Sequence, residues 1–138
     1  MITTVNANDL PSILSFVDKE QLSPITQLKY AKVTEVTIGF NQWKGIKLDA
    51  FGGLVPFKED RNILGVLYMS TLFKNRAPKG GALLTIFVGG TRKESLAELN
   101  EDELKNLMAK EFKIMMGVSD FNPDLFKTTH YEHAIAQY

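Results

Sequence analysis

His130 and His133 are the only two histidines of the chain, and they stand as H-x-x-H near its end. On a helix this spacing puts both imidazoles on one face, where they could share a metal ion. On a strand the odd spacing sends them to opposite faces. The residues around them, Leu125 to Tyr138, alternate as a strand does, and no third ligand lies nearby in the sequence. A zinc site needs more donors than that, so a structural or surface role is expected for both. Ser12, Ser15, Ser70 and Ser95 sit in no G-x-S-x-G turn, which leaves a Ser–His nucleophile unsupported. Gly80-Gly81 and Gly89-Gly90 match neither a P-loop nor G-x-G-x-x-G and read as turns and strand ends. Arg61, Arg76 and Arg92 fall in turns. Arginine is the usual partner of a carboxylate or phosphate, but in an exposed turn it is more often simply solvated. The acidic residues between Glu98 and Glu111 lie on a helix whose apolar stripe is elsewhere, so they read as its solvated face.

No acid–base, nucleophilic or metal-binding constellation comes out of these residues. What remains is a group of apolar side chains, Phe51, Leu54, Leu67 and Phe87, set beside Gly52-Gly53 and Gly65. Glycine in a strand forfeits packing and costs conformational entropy. It belongs where the backbone bends or where another group comes close. A large flat apolar ligand suits such a surface, because aromatic side chains stack on rings and glycine lets atoms reach the main chain. The plainer alternative is that these side chains pack on a helix.

The elements that must position them follow from pattern. Met1 to Asn6 reads as a short strand. Asn8 or Asp9 can cap a helix with Pro11 in its first turn, and Leu10, Ile13, Leu14 and Val17 make a helical stripe. Ser23-Pro24 reads as the start of another helical turn. Tyr30 to Phe40 is β-rich, with Val36, Ile38 and Phe40 alternating onto one face. Phe51 to Phe57 and Ile63 to Ser70 read as a hairpin around Lys58–Asn62. Leu83 to Val88 is a continuous apolar run, expected as a central strand covered on both faces. Asn100 to Met116 is the clearest helix. Asn100 and Glu103 form a capping box at its start, Leu104, Leu107, Met108, Phe112 and Met115 make its stripe, and Gly117 lies just past its end. The order gives an α+β domain, an antiparallel or mixed sheet with helices on one face, over residues 1–138 as a single unit.

Composition sets the outer bounds. Of 138 residues 44% are hydrophobic and 23% charged, ordinary values for a globular protein. Lys+Arg and Asp+Glu are both 16, so there is no basic excess of the kind that marks a nucleic-acid partner. Without cysteine there is no disulfide framework and no thiolate chemistry. No apolar run approaches the ~20 residues of a membrane span, and no basic-then-apolar leader opens the chain.

The ordered motifs Phe51-Gly52, Leu54-Val55-Pro56, Ile63-Leu64-Gly65, Ser70, Phe73, Arg76-Ala77-Pro78, Leu83-Leu84-Thr85 and Gly89-Gly90 resemble the protoporphyrinogen oxidase family. Upstream, Tyr30, Val33 and Val36 fit that family's Tyr-x-x-Val-x-x-Val strand. Downstream, Leu99 to Leu104 resembles its Leu-x-x-x-Glu-Leu helix start, and Ala134 to Tyr138 its Ala-Ile-Pro-Gln-Tyr, with Ala136 in place of the proline. The family consists of FAD-dependent enzymes with the amine-oxidase type of fold that oxidise protoporphyrinogen IX to protoporphyrin IX. The resemblance implies that this chain is part of the substrate-binding domain of such an FAD-linked oxidase. Gly52 would bring its backbone near the macrocycle, Leu54 and Leu67 would pack on one side of a pyrrole ring, Phe87 on another part, and Phe51 beside them. No residue of the chain would be a catalytic acid or base. The G-x-G-x-x-G that holds the FAD pyrophosphate in the family is missing from the sequence. The chain is therefore expected to be an internal piece of a longer protein, inactive alone and without tightly bound FAD. For the parent the resemblance implies a tetrapyrrole partner and a cytoplasmic place, and leaves open peripheral membrane attachment and a homodimer. Two alternatives stay open: a related flavin amine oxidase or desaturase, and a stand-alone, non-catalytic tetrapyrrole-binding module.

Overall fold

The structure, a computed structural model, describes residues 2–138. Its centre is β1 (Lys29–Phe40), a strand of 12 residues. β4 (Ala82–Gly89) pairs with one edge of it and β5 (Leu125–Gln137) with the other, both antiparallel. β2 (Gly52–Leu54) and β3 (Gly65–Leu67) extend the sheet beyond β4, giving the order β2-β3-β4-β1-β5. β1 and β4 are rich in β-branched residues whose side chains fit a pleated surface. Val36, Ile38, Leu84 and Ile86 are fully buried on one face. The alternation expected for Val36, Ile38 and Phe40 and the central position expected for Leu83–Val88 both hold.

That face is closed by α4 (Glu101–Met115). The helix starts where the sequence says it should. Glu103 N–H donates to the Asn100 side chain at 3.0 Å, and Asn100 N–H donates to the Glu103 carboxylate at 2.9 Å. Leu104, Met108 and Phe112 enter the core with Val36, Ile38, Leu84, Ile86 and Val88. Gly117 follows with φ +67°, a conformation glycine adopts without cost. Phe40, Trp43, Phe112 and Phe121 meet edge to face or tilted at one end of this core.

Several expectations are corrected. Of the strand expected over Met1 to Asn6, residues 2–6 form none and Met1 lies outside the described residues; residues 2–6 carry no alternating apolar pattern to pair. The Leu10–Val17 stripe yields only α1 (Leu10–Ile13), because Leu14 leaves helical geometry at φ −103°, ψ 48°. α2 (Lys19–Thr26) begins upstream of Ser23, capped by the Asp18 carboxylate, which accepts from Glu20 N–H at 3.1 Å, and Pro24 falls inside the helix. The hairpin is shorter than its apolar runs. After Leu54 the chain turns away through a 3-10 turn at Phe57–Glu59 and a left-handed Asp60 (φ 44°). After Leu67 it enters α3 (Met69–Leu72), whose Ser70 hydroxyl accepts from Leu83 N–H at 3.2 Å. No helix is long and apolar enough to cross a membrane among the described residues.

Candidate functional site

The face of the sheet away from α4 is read directly from the register. One row across the strands is Leu54, Gly65, Phe87, Glu35, Thr129. The next row is Gly52, Leu67, Thr85, Thr37, Lys127. Successive side chains of a strand alternate, so both rows project from the same face, opposite to Val36, Ile38, Leu84 and Ile86. Gly52, Leu54, Leu67 and Phe87 are thus brought together on three neighbouring strands. Leu54 is 87% exposed, Leu67 37% exposed, and Phe87 partly buried. Phe51 is not in the row system: it precedes β2, is 77% exposed, and uses its carbonyl to accept from Tyr68 N–H at 2.8 Å.

The glycines have reasons inside the fold. Gly52 has φ +133°, and a Cβ there would overlap the Val66 carbonyl oxygen. A Cβ on Gly65 would meet the Gly53 carbonyl oxygen at 2.8 Å and Leu54 Cδ2 at 3.1 Å. The close approaches at these two positions are made by neighbouring strands; Gly53 alone faces open space within 4 Å. A flat, open patch results, with Leu54 lying across Gly65.

Pattern reading missed a group on this face. Glu35 stands directly across from Phe87 on β4 and from Thr129 on β5. It is partly buried, accepts a long hydrogen bond (3.5 Å) from the Thr37 hydroxyl, and has no ion-pair partner among the described residues. The signal was present in the alternation: if Val36, Ile38 and Phe40 point to α4, then Glu35, Thr37 and Gly39 point away. Lys127, one row over, is exposed and also free of an ion pair.

The other candidates resolve into structural roles. His130 Nδ1 lies 2.7 Å from the Thr34 hydroxyl and 3.0 Å from the Ala97 carbonyl, tying β5 and β1 to the 3-10 turn at Glu94–Glu98. His133 meets Tyr30 edge to face and Asn8 Nδ2 at 3.3 Å. No group of three or more metal-ligating side chains forms among the described residues. Arg61 is not simply solvated but partly buried and paired. Its Nε and Nη2 donate to Glu111 Oε2 at 2.9 and 2.7 Å, and Asn62 N–H reaches Oε1 at 3.3 Å. Glu111 is 3% exposed, which corrects its assignment to a solvated helix face; a buried carboxylate persists only with partners of this kind. Arg92 stacks on Phe57 with its guanidinium 3.7 Å from the ring centroid, beside a cavity of about 410 Å³ at the hairpin turn that none of the five candidate residues lines. The strongest charge shift is also structural. Lys32 is held well above the ordinary lysine range by hydrogen bonds to Glu98 and then Glu132.

Against known proteins, the profile of flavin-containing amine oxidoreductases matches residues 2–137. The chain belongs to that family. Protoporphyrinogen oxidase 2 of Arabidopsis thaliana is 32% identical over 102 residues, which is 71% of this chain and 20% of that protein. The mitochondrial protoporphyrinogen oxidase of Nicotiana tabacum is 36% identical over 101 residues, 70% of this chain and 20% of that one. The chain therefore spans about a fifth of the length of these curated relatives. A solved protein provisionally named protoporphyrinogen oxidase, from Exiguobacterium sp. 255-15, superposes with a TM-score of 0.75 at 16% identity, over 98% of this chain and 29% of that one. Reduced UDP-galactopyranose mutase superposes at 0.71 and 13% identity, over 95% of this chain and 28% of that one. Those two likenesses are of fold: the α+β sheet-and-helix unit recurs within larger proteins.

A family member needs its flavin, and a flavin pyrophosphate needs backbone N–H groups at a helix N-terminus. Here the long helix cannot offer them. The start of α4 is closed by its own capping box, and Glu101, Asp102 and Glu103 in its first turn repel a phosphate. The start of α4 thus does not fit the pyrophosphate.

Proposed function

We propose that this chain forms the substrate-facing sheet of an FAD-dependent protoporphyrinogen oxidase, converting protoporphyrinogen IX to protoporphyrin IX in haem and porphyrin biosynthesis. The observation that carries the reading is the register, which gathers Gly52, Leu54, Leu67 and Phe87 on adjacent strands of one face. The identity with plant protoporphyrinogen oxidases supports a tetrapyrrole as the ligand. In this reading Leu54 and Leu67 give a flat apolar seat, Phe87 packs on the macrocycle, and together they keep water from the ring. FAD, held by other parts of the parent, supplies the redox chemistry. In this reading the parent works in the cytoplasm, with peripheral attachment to a membrane as the variant.

The test is made on the native gene product, isolated with an antibody against this segment. A product much larger than 15.5 kDa, yellow from bound flavin and forming fluorescent protoporphyrin from protoporphyrinogen, is expected. A yellow product that oxidises amines and leaves protoporphyrinogen untouched moves the assignment to another branch of the family. A colourless product of about this chain's own mass leaves a tetrapyrrole-binding module without chemistry.

A further inference from the structure

Glu35 is the only acidic side chain among the strand residues that alternate onto the face away from α4 between Gly39 and Val33 on β1, Leu83 and Phe87 on β4, and along β2 and β3. It is one strand spacing, about 4.8 Å, from Phe87 and three from Leu54. Glu35 stands at the border of the apolar patch, with Phe87 on one side and Thr129 on the other, and a partly buried carboxylate is costly unless something pairs with it. Glu111, the buried carboxylate on the other side of the sheet, has Arg61 and a backbone N–H. Among the described residues Glu35 has only the long contact from Thr37. Its oxygens are left with capacity to accept from a ligand.

The chemistry of a reduced tetrapyrrole supplies the donors. In a porphyrinogen the bridging carbons are tetrahedral, so each pyrrole can tilt and turn its N–H out of the mean plane. Several such N–H groups can then converge on one anion. In a porphyrin the bridges are part of the aromatic system, the ring is flat, and the remaining N–H groups lie in the plane, where a carboxylate below the ring cannot reach them along the donor axis.

We propose that Glu35 is the anion that receives the pyrrole N–H groups of the reduced macrocycle, so that this face selects a porphyrinogen over a flat porphyrin. The inference rests on the tetrapyrrole reading above and adds to it a recognition residue that composes the specificity. Leu67→Asp tests the face itself, and Glu35→Gln tests the carboxylate while keeping its shape.

The experiment is anaerobic titration calorimetry of the native gene product, its flavin reduced, with protoporphyrinogen IX and, separately, protoporphyrin IX. For Glu35→Gln, affinity for the porphyrinogen is expected to fall about tenfold, the scale of a lost charge-assisted hydrogen bond, while affinity for the porphyrin stays within about twofold. Leu67→Asp is expected to lose both ligands. If Glu35→Gln binds the porphyrinogen as the parent sequence does and Leu67→Asp loses it, the role of Glu35 falls and the sheet-face reading stands. An equal loss of both ligands on Glu35→Gln also removes the selective role. If the unaltered native product binds neither tetrapyrrole, the face reading and the inference fall together.

Discussion

On the α4 side of β1 and β4, Val36, Ile38, Leu84 and Ile86 have no exposure at all, and Leu104, Met108 and Phe112 fill the space above them. On the opposite side the same two strands carry Glu35, Thr37, Thr85 and Phe87, continued by Leu67 and Leu54 toward the sheet edge. The first surface is closed by side chains of the chain itself, and its buried carboxylate, Glu111, is paired with Arg61. The second is open, apolar at one end and unpaired at its carboxylate. Two faces of one sheet can thus be specified independently, because side chains alternate while the backbone hydrogen bonds serve both. One face builds the hydrophobic core, and in the proposed reading the other serves recognition.

Substitutions should separate the two. Phe112→Ala, on the closed face, is expected to cost about 3–5 kcal/mol, the range for removing a buried aromatic, measured by urea denaturation. A cost below about 1 kcal/mol would mean that α4 does not close this face as described. Next comes Glu111→Ala, which strands Arg61. Its expected cost is about 2–3 kcal/mol, under the range for fully enclosed pairs because Arg61 keeps some solvent. A double-mutant cycle with Arg61→Ala should show coupling, and additive losses would contradict the pairing. Phe87→Ala, on the open face, is expected to weaken tetrapyrrole binding in the parent by about 1–3 kcal/mol while leaving it folded. Lost stability with unchanged binding would put Phe87 in the core instead.

The smallest effect is set by acid. Asp60 is lowered from its ordinary value of 3.8 by a hydrogen bond from Lys93, and Glu98 from 4.5 by one from Lys32. A carboxyl whose folded value is depressed stabilises the fold above its unfolded value and loses that contribution as pH falls through the folded one. Both groups are solvent-exposed, so screening keeps the effect small. Melting temperature should be flat around neutrality and begin to fall below pH 4.5. Glu98→Gln should flatten part of that slope, and an unchanged acid profile would show that the Lys32–Glu98 contact adds nothing.

The parts of the fold that were legible are those in which local chemistry and burial agree. The capping box at Asn100, the α4 stripe and the apolar run of β4 each state their structure within a few residues. Where they disagree the reading failed. The runs Phe51–Phe57 and Ile63–Ser70 look like long strands, but only Gly52–Leu54 and Gly65–Leu67 pair, because the turn at Phe57–Glu59 and α3 take the remainder. Glu111 reads as one more helix acid, since its partner Arg61 is 50 positions away.

From its sequence alone the chain determined an α+β unit, an absence of cysteine chemistry, the long capped helix, the central strand and a resemblance carried by ordered motifs. Periodicity encodes which residues share a side of their own element, and that is a local property. Which strands lie side by side is not local. The order β2-β3-β4-β1-β5 set Phe87 between Gly65 and Glu35, and only the tertiary pairing could place that carboxylate beside the apolar patch.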